Sequence, residues 1–269
     1  MDVNKDDVAV SALYTAATWH WAGLANAGTV TPANAHGVFK LVNAYMAFYR
    51  WLNPQTYALP YQLLHRHSAI DYLLRQSGCQ RVVEVACGFS PRAASFSADP
   101  ACQYVEMDLP AMIAHKTAQL AGSAEGQAIL ARPNLQLSAG DITTHDFTAD
   151  ASDAATAVIT EGLMMYFKRE QQLPIWQSIA GLLQRTDGVY LFDYIPLSEE
   201  PPRSWLGECC TMSACTGSAL PATLPMTIAI VTRWRQICAA AASAMCSAMS
   251  PARSPPLGVC PPAKSPATP

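Results

Sequence analysis

Small and charged residues follow a short apolar run near position 81. The run Arg81–Ala86 is typical of a buried strand, and Glu84, Ala86, Gly88 and Arg92 lie in it or just after it. Small residues let the backbone turn sharply and approach a ligand closely. A helix that begins next to Arg92 would present free N–H groups and the positive end of its dipole. The segment therefore predicts a loop suited to a carboxylate, although a plain strand–turn–helix joint would use the same residues.

A second candidate, Asp108, ends the next apolar run, Gln103–Asp108. A carboxylate at the end of a second strand can accept hydrogen bonds from both ribose hydroxyls. The alternative is that Asp108 only caps a helix that begins near Pro110. The dinucleotide pattern GxGxxG is missing, because Ser90-Pro91-Arg92 stand where its last glycine is needed. These features favour a nucleoside that carries an amino acid over a nicotinamide dinucleotide.

The elements that must position these residues alternate between strands and helices. Strands are predicted at 81–86, 103–108, 134–138, 157–161 and 189–194, with helices in the connections. This alternation predicts a parallel sheet with helices on both faces, and right-handed crossovers make it doubly wound. Ligands of such sheets bind beyond the carboxyl ends of the strands. The fold class is therefore α/β, a doubly wound Rossmann-like sheet.

The region before the sheet is predicted to be helical. Apolar residues at spacings of three and four indicate helices over Val8–Leu24 and Pro60–Gln76. Between them, Thr31 is predicted to cap a helix that has Pro32 at its first position.

Composition excludes several classes of protein. The chain has 269 residues, 14% charged residues and a net charge of −3, which predicts neither a nucleic-acid nor a membrane partner. No apolar run is long enough to span a bilayer, and the first residues lack a basic-then-apolar leader, so we expect the cytoplasm. No CxxC pair occurs, so no zinc site is expected.

Three motifs resemble those of known methyltransferases. Val83–Arg92 resembles the glycine-loop motif of S-adenosylmethionine methyltransferases. Tyr104–Pro110 with Lys116 resembles the Y-x-E-x-D-L-P…K stretch of one subgroup, and Glu161–Phe167 resembles its E-G-L-L-M-Y-L. That subgroup is the leucine carboxyl methyltransferase family, which includes O-methyltransferases of polyketide biosynthesis. The resemblance covers about residues 8–200, with the motifs in the family's order.

The resemblance implies S-adenosylmethionine as the cofactor. Its first-motif residues would line the methionine end, Asp108 would hold the ribose hydroxyls, and Asp141 would accept from the adenine amine. Glu161 would lie below the methyl group, and Arg92 would pair with the cofactor carboxylate unless it is an ordinary surface arginine. The full set implied for the cofactor is Glu84, Ala86, Gly88, Arg92, Asp108, Leu109, Asp141, Ile142, Glu161 and Gly162.

The implied reaction is methyl transfer to a carboxylate or a hydroxyl of a small molecule. The protein has to hold an oxygen in line with the methyl group and exclude water. A carboxylate needs no base, whereas a hydroxyl does. The resemblance places Tyr166 on the substrate side. The other candidate bases are Glu161, His20, His36, His65, His67 and His115, and no histidine has a distinctive sequence context.

The resemblance also divides the chain into three parts. Residues 1–76 would be a helical lid, and 77–206 the cofactor domain. Some aromatic residues of the lid are candidates for the pocket, although core packing is the expected role of most: Tyr14, Trp19, Trp21, Tyr45 and Tyr49.

Residues 207–269 have a different composition. They contain 13 Ala, 9 Pro and 6 Cys, with Glu208 as their one acid, and only Thr227–Val231 has strand character. We hypothesise a shifted reading frame or a divergent, disordered tail. Loss of the last strands would expose an edge of the sheet. The tail therefore leaves an inactive or cofactor-binding-only remnant as one alternative to an active methyltransferase. A nicotinamide-dependent oxidoreductase of the same fold class is a second alternative.

Overall fold

The computed structural model describes residues 5–52, 58–147, 152–194 and 227–232. All of them lie in one compact unit, Met1–Trp234. Most of the predicted tail at 207–269, and with it the hypothesis of a shifted frame, lies outside the described residues. The boundaries predicted at 76 and 206 stay predictions.

Six strands form one sheet in the order β3-β2-β1-β4-β5-β6. The first five are parallel to one another, which confirms the doubly wound prediction. Their chain order reverses between β1 and β4, and this is the switch point at which such sheets bind ligands. The strands are β1 (Arg81–Val85), β2 (Gln103–Asp108), β3 (Leu135–Ala139), β4 (Thr156–Thr160), β5 (Val189–Tyr194) and β6 (Thr227–Thr232).

The helices agree with the sequence except at short elements. The eight helices of the described residues are α1 (Lys5–Trp21), α2 (Ala27–Val30), α3 (Ala35–Leu52), α4 (Leu59–Ser77), α5 (Arg92–Phe96), α6 (Pro110–Ala121), α7 (Ala124–Leu130) and α8 (Arg169–Thr186). A 3-10 turn covers Met164–Tyr166. The sequence analysis missed α2 and α7, which are too short to show a full apolar period. Ser123 nevertheless caps α7, because its hydroxyl accepts from Gly126 N at 3.0 Å.

The prediction for Thr31 was wrong. Thr31 ends α2, and its hydroxyl donates to the carbonyls of Ala27 (2.7 Å) and Ala16 (3.1 Å). The next helix begins only at Ala35. Thr31 thus satisfies carbonyls at a helix end instead of N–H groups at a helix start.

The prediction of an exposed edge was also wrong for β5. The strand β6 pairs with it antiparallel over six residues, from Val189 opposite Thr232 to Tyr194 opposite Thr227. The one tail segment with strand character therefore covers the edge of the parallel sheet.

The core lies between the central strands and α4. All five residues of β4 are buried, as expected for a central strand covered on both faces. One apolar cluster joins Ile70 and Leu74 of α4 to Val82, Tyr104 and Ile159 of the sheet. This packing fixes α4 across the sheet and places the residues of its middle turns near the carboxyl ends of β1 and β4.

Candidate functional site

The loops that follow β1 and β4 turn sharply. Ala86 has φ 55°, Gly88 φ 49° and Gly162 φ 67°, so all three lie in the left-handed region. Glycine adopts that region freely, whereas Ala86 does so at a cost of about 1 kcal/mol. A Cβ at Gly162 would lie 3.0 Å from Arg66 Nη2. The loops therefore bring backbone and buried charge close together at one edge of the sheet.

Asp108 connects the loops that follow β1, β2 and β3. Its Oδ2 accepts from Gly88 N at 2.8 Å, and its Oδ1 accepts from Leu109 N at 2.7 Å. Its backbone carbonyl accepts from Gly140 N at 2.9 Å. The alternative that Asp108 only caps α6 is wrong, because Leu109 precedes that helix and no side chain caps it. Burial raises the pKa of Asp108, and the two N–H donors oppose that rise.

Arg92 is the centre of a buried ionic cluster. Its side chain is fully buried, so the alternative of a surface arginine was wrong. Its guanidinium donates to Asp71 Oδ1 (2.5 Å), Glu84 Oε1 (2.5 Å) and Glu161 Oε2 (2.6 Å). Glu84 also accepts from the hydroxyl of Tyr104 at 2.7 Å. Arg92 thus binds carboxylates from α4, β1 and the end of β4.

A second buried arginine, Arg66 of α4, extends this cluster to β5. Its Nε donates to Glu161 Oε1 at 2.9 Å, and its Nη1 donates to Asp193 Oδ2 at 3.3 Å. Asp193 Oδ1 in turn accepts from Gly162 N at 2.6 Å. We name the set Asp71, Glu84, Glu161, Asp193, Arg66, Arg92 and His67 the ionic cluster.

His67 is the one candidate histidine that the structure buries in this cluster. Its Nδ1 lies 3.1 Å from Glu161 Oε2 and 2.9 Å from Arg92 Nη2. Because an unprotonated Nδ1 would place its lone pair against the Glu161 carboxylate, we assign the proton to His67 Nδ1, which then donates to Glu161. Trp19 covers the ring, with centroids 4.7 Å apart. The four other candidate histidines are exposed: His20, His36, His65 and His115.

The ionic cluster holds more negative than positive charge. Four carboxylates face two guanidiniums, with His67 as the one further group that can carry charge. Burial would raise the pKa of Glu161, but the imidazole of His67 and the two guanidiniums outweigh it and hold that pKa well below its usual range. Glu161 is therefore ionised, and the cluster suits a positively charged ligand.

A separate buried pair supports the glycine loop from below. Lys116 Nζ donates to Glu106 Oε1 at 2.5 Å and to the carbonyl of Ser90 at 2.8 Å. Burial raises the pKa of Glu106 to about 7, and Lys116 opposes that rise. The pair explains why the second motif carries a glutamate before Asp108 and a lysine after it.

Asp141, Ile142 and Tyr166, which were also predicted as site residues, lie outside the ionic cluster. Asp141 is exposed, and its Oδ1 accepts from Thr143 N (2.9 Å) and Thr143 Oγ1 (2.7 Å). Ile142 is buried beside it. Tyr166 is 42% exposed, and its phenol is one of the groups that raise the pKa of Arg66 against the effect of burial. The roles of these residues stay predictions.

The candidate lid aromatics separate into two groups. Tyr14 and Trp19 are buried, whereas Trp21 and Tyr45 are half exposed and Tyr49 is partly buried. Trp19 packs against Phe89 of the glycine loop, and its Nε1 has no acceptor among the described residues. A buried indole donor without a partner beside His67 is consistent with a ligand site.

Two cavities lie near these elements. One of about 120 Å³ borders the ionic cluster at His67, Asp71 and Arg92. The other, of about 310 Å³, lies at the opposite end of the strands, next to Val82 and Cys102. Neither is lined by the predicted ribose and adenine residues, so these cavities do not outline the expected cofactor site.

Sequence reasoning missed Arg66 and Asp71, and it did not single out His67. The one sequence feature that could have indicated these three residues is that they are ionisable residues in a helix whose other faces are apolar. In the described parts of the chain, no group of three or more His, Cys, Asp or Glu residues could hold a metal ion. No helix within the same residues is long and apolar enough to cross a membrane.

The comparison with solved structures returns methyltransferases. The structure of the S-adenosylmethionine-dependent methyltransferase SibL in its apo form has 16% identity and a TM-score of 0.41, covering 76% of this chain and 51% of that one. The N-terminal domain of EvdMO1 with S-adenosylhomocysteine bound has 14% identity and a TM-score of 0.35, covering 48% and 49%.

The glycopeptide N-methyltransferase MtfA with S-adenosylmethionine has 17% identity and a TM-score of 0.35, covering 52% and 55%. Each of these three matches spans about half the length of the solved chain. No curated protein sequence matches the chain.

The family comparison covers the residues that build the site. The family described as leucine carboxyl methyltransferase matches residues 37–180, more than half of the 269 residues. That range contains α4, the glycine loop, Asp108 and Glu161. The chain therefore belongs to the leucine carboxyl methyltransferase family.

Proposed function

We propose that the chain is an S-adenosylmethionine-dependent O-methyltransferase that acts on a hydroxyl or a carboxylate of a small molecule. The observation that carries the proposal is the position of Asp108. Its carboxylate is held by the N–H groups of Gly88 and Leu109 at the carboxyl end of β2, where a nucleoside ribose binds in this fold class. Family membership supports the same conclusion.

The charges of the site fit this cofactor. When bound, S-adenosylmethionine supplies a methyl group activated by a positively charged sulfur, and it also carries an ammonium group. The ionic cluster has two more carboxylates than guanidiniums and lies at the ends of β1 and β4. Buried carboxylates without enough cations are costly, so a cationic ligand would stabilise them.

Different residues of the chain would bind different parts of the cofactor. Asp108 would accept from the ribose hydroxyls, with Leu109 and Ile142 as apolar contacts near the nucleoside. Arg66 and Arg92, the buried cations of the ionic cluster, would attract the carboxylate of the cofactor. The free indole donor of Trp19 and the ionised Glu161 would face the methionine part.

The acceptor is more consistent with a hydroxyl than with a carboxylate. A second anion would add to an existing excess of negative charge, whereas a neutral hydroxyl would not. A hydroxyl needs a base, and His67 with its Nδ1 proton donated to Glu161 has Nε2 left to take the proton. The O–CH₃ bond would then form as the S–CH₃ bond breaks, with the proton held on His67.

Calorimetry tests the cofactor site directly. We expect the purified chain to bind S-adenosylmethionine and S-adenosylhomocysteine in the micromolar range. Asp108→Asn keeps the shape of the side chain but removes its charge and one acceptor, so it should weaken binding at least tenfold. Asp99→Asn, an exposed aspartate at the other end of the strands, is the matched control and should bind like the parent.

The outcomes separate the alternatives. A folded chain that binds neither ligand would contradict the proposal. Binding of NADH instead would favour the oxidoreductase. Cofactor binding without methyl transfer to any of a panel of phenols, alcohols and carboxylic acids would favour the inactive remnant.

A further inference from the structure

A buried hydrogen-bond donor lies beside the ionic cluster without an acceptor. Trp19 of α1 is 5% exposed, and its Nε1 has no partner within the described parts of the chain. Buried donors of folded proteins nearly always have an acceptor, either in the protein or in something bound to it. Since an indole can only donate, the missing partner must be an atom with a lone pair. Trp19 Nε1 is therefore placed to bind an acceptor atom of a ligand.

Trp19 lies where the glycine loop meets the ionic cluster. Its ring packs against Phe89 of that loop, and the ring centroid is 4.7 Å from that of His67. Leu24 N donates to the Trp19 carbonyl at 3.1 Å. Leu24 and His67 both line the cavity of about 120 Å³. Two residues in contact with Trp19 thus border open space, so there is room for a ligand group next to this side chain.

The arginines of the ionic cluster are already committed to its carboxylates. All three guanidinium nitrogens of Arg92 donate to carboxylates of the cluster, and so do two of the three of Arg66. These arginines can attract a further anion through their charge, but most of their directed N–H bonds are used. Trp19 Nε1 has its hydrogen bond left to give, because no acceptor of the described residues takes it.

We propose that Trp19 Nε1 donates a hydrogen bond to the carboxylate of the cofactor's amino-acid part. The residue would then make the site specific for nucleosides that carry an amino acid with a free carboxylate. This inference rests on the proposed function. At that end of S-adenosylmethionine the sulfonium and the ammonium group carry positive charge and accept no hydrogen bond, so the carboxylate is the acceptor available. The ammonium group is attracted instead to the excess carboxylates of the ionic cluster.

The oxygen that receives the methyl group fits this donor less well. That oxygen attacks with a lone pair, and a hydrogen bond from Trp19 would withdraw electron density from it. The cofactor carboxylate takes no part in the reaction, so its hydrogen bond can persist from binding to release of the product. A contact made equally before and during the reaction strengthens binding without changing the rate of the chemical step. The role of Trp19 should therefore be measured as affinity.

Calorimetry with two ligands that differ only in the carboxylate tests the proposal. The ligands are S-adenosylhomocysteine and its decarboxylated analogue, which keeps the adenosine, the thioether and the amine. Trp19→Phe keeps an aromatic ring but removes the donor. It should weaken binding of S-adenosylhomocysteine about tenfold and change the affinity for the analogue by less than about twofold. Trp51→Phe, at a position 75% exposed on α3, is the matched control and should bind both ligands like the parent.

Nitrogen-15 NMR of the indole groups gives a second readout on the parent protein. The Trp19 indole signal is assigned through its own backbone, so this measurement needs no variant and does not depend on the stability of Trp19→Phe. Saturation with S-adenosylhomocysteine should move the indole proton signal downfield, as a new hydrogen bond to a carboxylate does. Saturation with the decarboxylated analogue should leave the signal near its position in the free protein.

The outcomes separate this inference from the proposed function. Equal weakening of both ligands by Trp19→Phe would overturn the inference, because Trp19 would then act through packing alone. Unchanged binding of S-adenosylhomocysteine, with an indole signal that does not move, would overturn it in favour of a water molecule as the acceptor. In both cases binding by the parent would leave the proposed function standing. A folded parent that binds neither ligand would overturn the proposed function and this inference together.

Discussion

The two ends of the parallel sheet differ in how they satisfy polar groups. At the carboxyl end, every acid of the central strands is buried: Glu84 in β1, Glu106 and Asp108 in β2, Glu161 after β4 and Asp193 in β5. At the amino end, the same strands begin with apolar or neutral residues, apart from Arg81.

Polar side chains at the amino end bind the backbone. Asn134 Nδ2 lies within 2.8–3.0 Å of three carbonyls, those of Ser97, Asp99 and Cys102. Arg132 Nη1 donates to the Ala94 carbonyl at 2.6 Å. These contacts complete loops, whereas the ion pairs of the ionic cluster at the carboxyl end join side chain to side chain. Buried carboxylates therefore lie at the end of the sheet where a cationic ligand can stabilise them. The other end of the sheet is stabilised mainly by apolar packing.

Arg92 is the residue whose removal should disturb this contrast most. Arg92→Met leaves Glu84, Glu161 and Asp71 without their shared cation, which should destabilise the fold by about 4 kcal/mol at neutral pH. Arg92 is one of the groups that lower the pKa of Glu161, so its removal raises that pKa and the variant should lose less stability near pH 5 than near pH 8. Urea denaturation at both values measures this.

The control for Arg92→Met lies on α4. Arg75 is exposed and lies over the Phe96 ring at 4.9 Å, so Arg75→Met should cost less than about 1 kcal/mol. Equal losses for the two arginines would show that the ionic cluster is no more important than a surface contact.

Packing at the amino end should respond differently. Leu74 is 3% exposed and lies in the core cluster beside the larger cavity. Leu74→Ala should destabilise the fold by about 3 kcal/mol, because it removes buried methyl groups and enlarges a cavity. No ionisable group is lost, so the destabilisation should be the same at pH 5 and pH 8. A loss that changes with pH would contradict the assignment of this end to packing alone.

Much of this organisation was predictable from the sequence. The bounds of β2 and β5 were predicted to the residue. The glycine loop and Asp108 were found because their spacing along the chain is itself the signal. Arg66 and Asp71 were missed because their partners lie more than 20 residues away, and no local pattern reports which strand end a helix faces.

The buried pair under the glycine loop should make stability depend on pH. The pKa of Glu106 is about 7 in the fold against 4.5 ordinarily, so the folded state holds its proton more tightly than the unfolded state. That contribution is complete below pH 4.5 and is lost as pH rises towards 7. The complete contribution should amount to about 3 kcal/mol.

The double variant Glu106→Gln/Lys116→Met isolates this contribution. It removes both charges, so its stability relative to the parent should rise by about 2 kcal/mol between pH 5 and pH 8. Thermal unfolding at a series of pH values measures the difference. Parallel stability curves for the two proteins would mean that Glu106 does not titrate in this range.

The smallest expected effect lies at the turn of the glycine loop itself. Ala86 has φ 55°, which costs an alanine about 1 kcal/mol, whereas Gly88, two residues later, has φ 49°. Ala86→Gly should therefore stabilise the fold by about 0.5 kcal/mol, since relief of strain outweighs the greater entropy of the unfolded chain. Gly88→Ala should destabilise it by about 1 kcal/mol, although its Cβ would meet Ala12 at an ordinary 3.5 Å. Because the two changes are opposite in direction and two residues apart, chemical denaturation of both separates backbone strain from crowding. If Ala86→Gly is instead destabilised, the Ala86 methyl group makes packing contacts in the site. Those contacts would then outweigh the backbone strain of the left-handed turn.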